Sequence, residues 1–414
     1  MDSFNYRQGE AYCEDVALDR IAQEVGTPCY VYSLSTLRRH ARRLQEAFAA
    51  YPTLPCFAVK ANGNLSVLRE IFAQGYGADI VSLGELERAL RAGVRPEWVV
   101  YSGVGKRRDE IEAALARNIF SFNVESGGEL EEIAAVAGAR KQVARVTLRV
   151  NPNIDARTNP KITTGLFTTK FGLVEAAAQA LADRIHSLPS VQLVGVGCHI
   201  GSQILELEPL SEAAKILARF AQRLLGQGHA LECIDMGGGL GIRYRDEDPP
   251  EPELYAKAII EAVRPTGLKL LIEPGRVLVG NVGILLTRVI ATKETPEKAF
   301  LIVDGAMNDL IRPSMYDSYH EIRAVRETPG APSKLMDVVG PICETGDFFG
   351  KNRSLPLNLQ AGDLVYLRSA GAYASAMASN YNSRPRAPEI LVDGSQYRIV
   401  RRREKLEDLW QLEI

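Results

Sequence analysis

Little in this sequence would tie it to a membrane, to nucleic acid or to an oxidising compartment. Of 414 residues 49 are basic and 51 acidic, a net charge of -2, so no surplus of one sign exists to attract a polyanion or an anionic bilayer. The one basic run, Arg401-Arg402-Arg403, is followed by Glu404, Glu407 and Asp408 and reads as a mixed solvated face. The six cysteines (Cys13, Cys29, Cys56, Cys198, Cys233 and Cys343) are scattered, with no CxxC pair and no histidine at ligand spacing. That pattern argues against a disulfide framework and a metal site, and fits a reducing, cytoplasmic setting. No apolar run is long enough to span a bilayer, and the polar start, Met1 to Arg7, lacks the apolar core of a signal peptide. Internal repeats and low-complexity tracts are also missing.

What is present is an ample core, with 46% apolar residues. Short runs, apolar on both faces, alternate with helix-like segments. The runs are 55–60, 77–81, 98–101, 119–122, 143–150, 193–199, 231–236 and 269–272. The segments between them include 64–74, 84–92, 108–116, 128–137, 175–187, 209–225 and 255–263. Strands buried on both faces and separated by helices predict a parallel sheet, and about eight such units predict an α/β fold of the (β/α)8 type. After Gly280 the texture changes to strand-like runs broken by Gly, Pro, Asp and Asn, which predicts an antiparallel β-sandwich or barrel domain. The strand 29–32 precedes the first unit and is expected to pair with that β domain. The expected division is therefore a barrel over 34–283, inserted between 1–33 and 284–414 of the β domain.

Active sites of such barrels form at the C-terminal ends of the strands. Lys60 ends the first run, Asp79 and Ser82 lie at the end of the second, and Arg149 and Asn151 close the fifth. His199 with Gly201-Ser202-Gln203 closes the sixth, Gly237-Gly238-Gly239-Leu240-Gly241 follows the seventh, and Glu273-Pro274-Gly275-Arg276 the eighth. Taken alone, Lys60 reads as a strand-end lysine that snorkels to water. Apolar neighbours that lower its pKa would make it a Schiff-base nucleophile instead. The glycine run fails the GxGxxG spacing, which leaves a tight turn or a phosphate cradle. A lone His199 fits a hydrogen-bonded core group as well as a ligand-facing one. Glu273, after an apolar run, needs a partner, either Arg276 or a protonated heterocyclic nitrogen. Together, a lysine, a phosphate cradle, a flat imidazole and a buried carboxylate describe a pyridoxal phosphate site.

The motifs Phe57-Ala58-Val59-Lys60-Ala61-Asn62, His199-Ile200-Gly201-Ser202-Gln203, Gly237 to Gly241, Glu273 to Arg276 and Cys343-Glu344-Thr345-Gly346-Asp347 occur in this order. In that order the chain resembles the fold-type III pyridoxal-phosphate decarboxylases, specifically the diaminopimelate decarboxylases, over essentially its whole length. The resemblance implies Lys60 as the Schiff-base lysine, His199 stacked on the cofactor ring and Glu273 at its pyridine nitrogen. Ser202, Gly238, Gly239 and Arg276 would surround the phosphate, with Asp79, Arg149 and Gly275 completing the cofactor contacts. Arg312 and Tyr316, in Arg312 to Asp317, would hold the far end of the substrate, with Arg276 nearby, and Tyr373 would touch cofactor and substrate. The resemblance further implies a homodimer in which Cys343 and Glu344 serve the partner subunit's site, Cys343 as the proton donor after carbon dioxide leaves. Thr345 stands where the family often has serine. The expected reaction is decarboxylation of meso-2,6-diaminopimelate to L-lysine, the closing step of lysine biosynthesis. Ornithine and lysine carry only an ammonium at the far end, whereas diaminopimelate adds a carboxylate that Arg312 and Tyr316 could bind. The rivals are a decarboxylase of ornithine, arginine or a carrier-bound amino acid, and a non-catalytic pyridoxal-phosphate binder.

Overall fold

The computed structural model describes residues 2–414, which form two compact units. One runs over Ala41–Ile242 and Asp248–Val277; the other takes the segment up to His40, Arg243–Glu247 and Leu278–Ile414.

The first unit is a closed barrel of eight parallel strands in sequence order: Thr53–Ala58, Gly77–Ile80, Val99–Tyr101, Ser121–Val124, Ala144–Arg149, Val191–Gly197, Cys233–Asp235 and Lys269–Ile272. Pairing of Leu270 with Thr53 and of Ile272 with Pro55 closes it. A (β/α)8 barrel is thus what the alternating runs encode. Side chains alternate along each strand, so interior residues come two apart. Leu54, Cys56, Val100, Cys233 and Leu271 form an apolar layer. Two positions further along lie Ser102, Asp235 and Glu273, joined by Asp79 and Asn123, all buried. Apolar packing therefore fills one level of the barrel, and polar groups collect towards the C-terminal strand ends. Side-chain caps start the helices on the way back: Asn64 accepts from the Ser66 amide, Ser82 from Glu85 and Ser126 from Glu129.

Two boundaries differ from the sequence reading in ways that matter for the site. The first strand ends at Ala58, and Lys60 lies in a single 3-10 turn, Val59–Ala61. The Asn62 amide donates to the Val59 carbonyl and closes that turn, so Lys60 stands beyond the strand end. The fourth strand begins at Ser121 and runs to Val124, which turns Asn123 into an interior residue.

The second unit opens with three antiparallel strands, Phe4–Arg7, Glu10–Cys13 and Val16–Ala17. Its nine-stranded sheet runs Phe348–Pro356, Ser333–Val339, Ala299–Val303, Gly283–Glu294, Cys29–Ser33, Glu389–Asp393 and Gln396–Arg401, with Leu364–Leu367 and Ile322–Ala324 attached. Cys29–Ser33 pairs with Gly283–Glu294, the expected company for that early strand. The sheet is mixed, not wholly antiparallel. Ala299–Val303 pairs in parallel with Ser333–Val339, as does Glu389–Asp393 with Cys29–Ser33. Both pairs are separated by long stretches of chain, which a parallel crossover requires. Phe348–Pro356 was not legible as a strand, because Lys351-Asn352-Arg353-Ser354 breaks its apolar pattern.

Candidate active site

The polar level of the barrel is crowded with acid. Asp79, Asp235 and Glu273 are each at most 8% exposed. The Lys60 ammonium, at 2.5 Å from Asp79 Oδ2, is the cation paired to this set. Asn123 Nδ2 reaches Ser102 Oγ (3.0 Å), Glu273 Oε1 (3.2 Å) and Asp235 Oδ2 (3.5 Å). Asp235 Oδ1 accepts from the Gly237 amide at 2.9 Å. Burial pushes the Glu273 carboxyl well above its usual range, and the neighbouring carboxylates of Asp235 and Asp79 push it further, against a smaller opposing pull from Lys60. Burial raises Asp235 as well. Burial among neighbouring acids thus disfavours the Glu273 anion, while the Lys60 ammonium is paired with Asp79. Asp79 Oδ1 is buried with no hydrogen-bond partner among the described residues.

His199 follows the sixth strand, half-buried, and its ring Nδ1 accepts from the Gly238 amide at 3.1 Å. An accepting Nδ1 places the imidazole proton on Nε2. Burial, with Arg149 and Lys60 nearby, depresses its pKa well below the usual value, so the ring stays neutral. Gly238, expected at a phosphate, has thus committed its amide to His199. It must also be glycine, since a Cβ there would lie 2.2 Å from the Glu273 carbonyl oxygen. The amides of Gly239, Leu240 and Gly275, in contrast, donate to no group among the described residues. Arg276, buried, donates from Nη2 to Ser202 Oγ at 3.1 Å. Those amides, a guanidinium and a hydroxyl make a donor set suited to a phosphate. Arg149 is held otherwise. Its Nη1 lies 2.8 Å from Glu125 Oε1 and its guanidinium stacks 5.0 Å from the Phe171 ring.

The remaining sequence-predicted residues belong to the β unit. Arg312 is buried, with Nη1 at 2.9 Å from His320 Nε2, Nη2 on Ser318 Oγ at 3.3 Å and its guanidinium over the Tyr244 ring at 4.8 Å. Tyr316 ends the short helix Arg312–Tyr316 that Arg312 begins. Cys343 and Glu344 are exposed; the Cys343 amide donates to Asn382 Oδ1 at 2.9 Å. Asp347 holds this turn from beneath, accepting from the Met307 and Ile342 amides, each at 2.7 Å. Tyr373 is half-buried, with φ at 53°. Sequence reasoning missed Asn123, Asp235, Ser102 and Glu125. The signal available was period-2 spacing: each lies two residues beyond an interior strand position.

Glu85 gives this site a pH signature. Its Oε2 accepts from the Val81 amide at 2.8 Å, yet burial raises its pKa to about 7, with Lys60 pulling down and Asp79 pushing up. A carboxyl raised in the fold binds more protons folded than unfolded, so its contribution is present below the unfolded pKa and fades as pH rises to about 7. Thermal melts of Glu85→Gln should therefore fall less than the parent protein between pH 5 and 7, whereas identical slopes would contradict this shift.

Comparison with known proteins places these features in context. Residues 34–280 match a family model described as "Pyridoxal-dependent decarboxylase, pyridoxal binding domain". The diaminopimelate decarboxylase of Pseudomonas aeruginosa is 51% identical, covering 99% of this chain and 98% of that protein. That of Vibrio cholerae is 47% identical over 100% and 99%. The crystal structure of the Helicobacter pylori diaminopimelate decarboxylase complexed with L-lysine superposes with a TM-score of 0.93 at 42% identity, covering 96% of this chain and 99% of that one.

Proposed function

The chain belongs to the pyridoxal-dependent decarboxylases, and from that premise we propose that it converts meso-2,6-diaminopimelate to L-lysine and carbon dioxide. The observation that carries the cofactor side of this reading is the buried acid cluster beside Lys60. A protonated pyridine nitrogen would add positive charge beside Glu273 and Asp235, the Lys60 ammonium being paired with Asp79, and would offset the burial that raises the Glu273 carboxyl. The donors at Gly239, Leu240, Gly275, Ser202 and Arg276 fit the phosphate.

When bound, pyridoxal phosphate supplies an electron-withdrawing ring conjugated to the substrate α-amine, which takes up the electron pair left by the departing carboxylate. The chain's own groups prepare for this. Lys60 would be the amine that holds the cofactor's aldehyde, and Asp79 is placed to accept its ammonium. Glu273 would hold the proton on the ring nitrogen. His199, neutral and fixed through Nδ1, offers a flat face without adding charge. Cys343 delivers a proton to the carbon that has lost carbon dioxide, so that one proton replaces one carboxyl group. Arg312 and Tyr316 are the donors for the second carboxylate, which ornithine and lysine do not have. Glu344 takes the distal amine, and Tyr373 contacts cofactor and substrate.

The selectivity is tested by carbon dioxide release from the purified protein with pyridoxal phosphate. Diaminopimelate should exceed ornithine, arginine and lysine in kcat/KM by at least about a thousandfold, since a site built to bind a carboxylate leaves its donors unpaired without one. A preference for ornithine would overturn the assignment.

The protein acts as a homodimer in the cytoplasm, with Cys343 and Glu344 of each subunit serving its partner. All six cysteines are free, and no helix among the described residues is long and apolar enough to cross a membrane. Mixing inactive Lys60→Met with Cys343→Ala after subunit exchange should restore about a quarter of parental activity, because half the dimers are hybrids with one intact site each. No recovery under conditions of proven exchange would place both residues in one subunit's site.

A further inference from the structure

The 25 residues from 150 to 174, between the fifth strand and the helix Glu175–Ile185, are long for a βα connection. They are far from loose. Thr164 Oγ1 donates to the His199 carbonyl at 2.6 Å. The Thr164 and Gly165 amides both reach the Ile200 carbonyl, at 3.1 and 3.0 Å, and the Ser202 amide donates to Ile162 at 3.2 Å. Thr163 and Gly201 form an antiparallel bridge, and Thr158 Oγ1 donates to the Ser202 carbonyl at 2.8 Å. His199 to Ser202 is in effect paired as a short extra strand with this connection. The approach is close: a Cβ on Gly165 would lie 2.7 Å from the Ile154 carbonyl and 2.9 Å from Ile200 Cβ. The far side is anchored to the barrel. Asn151 Nδ2 donates to the Leu166 and Phe171 carbonyls at 3.0 and 2.9 Å. Glu125, which pairs with Arg149, accepts from the Gly172 amide at 3.0 Å.

We infer that Thr164 and Thr158 are positioning residues for the cofactor wall, setting the backbone from which His199 and Ser202 project. His199 is then fixed twice, through its ring Nδ1 by the Gly238 amide and through its backbone carbonyl by the Thr164 hydroxyl. Both threonines act through another residue, and the inference rests on the reading of this rim as a pyridoxal phosphate site.

Valine keeps the shape of threonine and removes the hydroxyl, while serine keeps the hydroxyl, so the pair separates positioning from packing. Three quantities are read on the full-length protein: pyridoxal phosphate affinity by absorbance titration, visible circular dichroism of the bound cofactor, and the melting temperature without cofactor. Thr164→Val should weaken affinity about tenfold and alter the visible dichroism, with Thr164→Ser within about twofold of the parent, the scale of one hydrogen bond. The cofactor-free melting temperature should stay within about 2 °C of the parent in both. Should Thr164→Val fail to fold, Thr158→Val carries the same test at the Ser202 end. Unchanged affinity and dichroism would overturn the inference, as would losses of affinity that merely track a falling melting temperature. A parent protein that takes up no pyridoxal phosphate would instead overturn the functional reading.

Discussion

Replacing Lys60 with methionine should abolish the visible absorbance of the cofactor-loaded protein and lower kcat by about a thousandfold or more. Methionine matches the length and apolar stem of lysine but has no amine to join an aldehyde. Its effect on the fold should be small, because the Lys60 side chain is 36% exposed and stands in a one-turn element beyond the strand end. The penalty falls instead on Asp79, whose fully buried carboxylate loses its ammonium partner. The substitution should therefore sharpen the demand for positive charge in the barrel, and Lys60→Met/Asp79→Asn should melt above Lys60→Met alone. A Lys60→Met protein that kept its visible absorbance would remove the cofactor assignment from this lysine.

Glu273→Gln should leave cofactor uptake measurable while kcat falls by about a hundredfold, the usual scale for removing one charge-stabilising group from a closed site. Glutamine keeps an accepting side-chain oxygen, so the Ser102 and Asn123 contacts can persist. What it cannot do is offer an anion to a protonated ring nitrogen. The pH behaviour follows with a definite sign. A carboxyl whose pKa is raised in the fold contributes stability that fades as pH rises above its unfolded value. Without cofactor, Glu273→Gln should therefore lose less stability than the parent on going from pH 5 to pH 9. Melting curves and steady-state rates check the two halves separately. A kcat within about threefold of the parent would mean that Glu273 does not face the ring nitrogen.

The barrel was readable because its strands are buried on both faces and its helices are not, so apolar runs and amphipathic segments alternate visibly. The rim residues were readable because each ends or directly follows such a run. Interior polar groups were hidden by the same reading. Asn123 lies just past the fourth apolar run, 119–122, and Asp235 sits inside the seventh, 231–236, like part of an apolar strand. Gly238 and Arg149 illustrate a different limit. Their positions were legible but not their bonds, since pairing of an amide with His199 or of a guanidinium with Glu125 depends on three-dimensional approach. In the β unit the parallel pairings join segments distant in sequence, and no local pattern encodes them. Thr164 carried no signal at all, because its connection has neither strand nor helix periodicity.

The most direct measurement is chemical. Borohydride reduction of the cofactor-loaded protein makes the link between an amine and the cofactor permanent, and peptide mapping by mass spectrometry then locates it. The expected result is one pyridoxyl group per chain, on the peptide that contains Lys60. A stoichiometric adduct on any other lysine, such as Lys106 with its buried partner Glu129, would contradict the central claim that Lys60 at the barrel rim carries the chemistry.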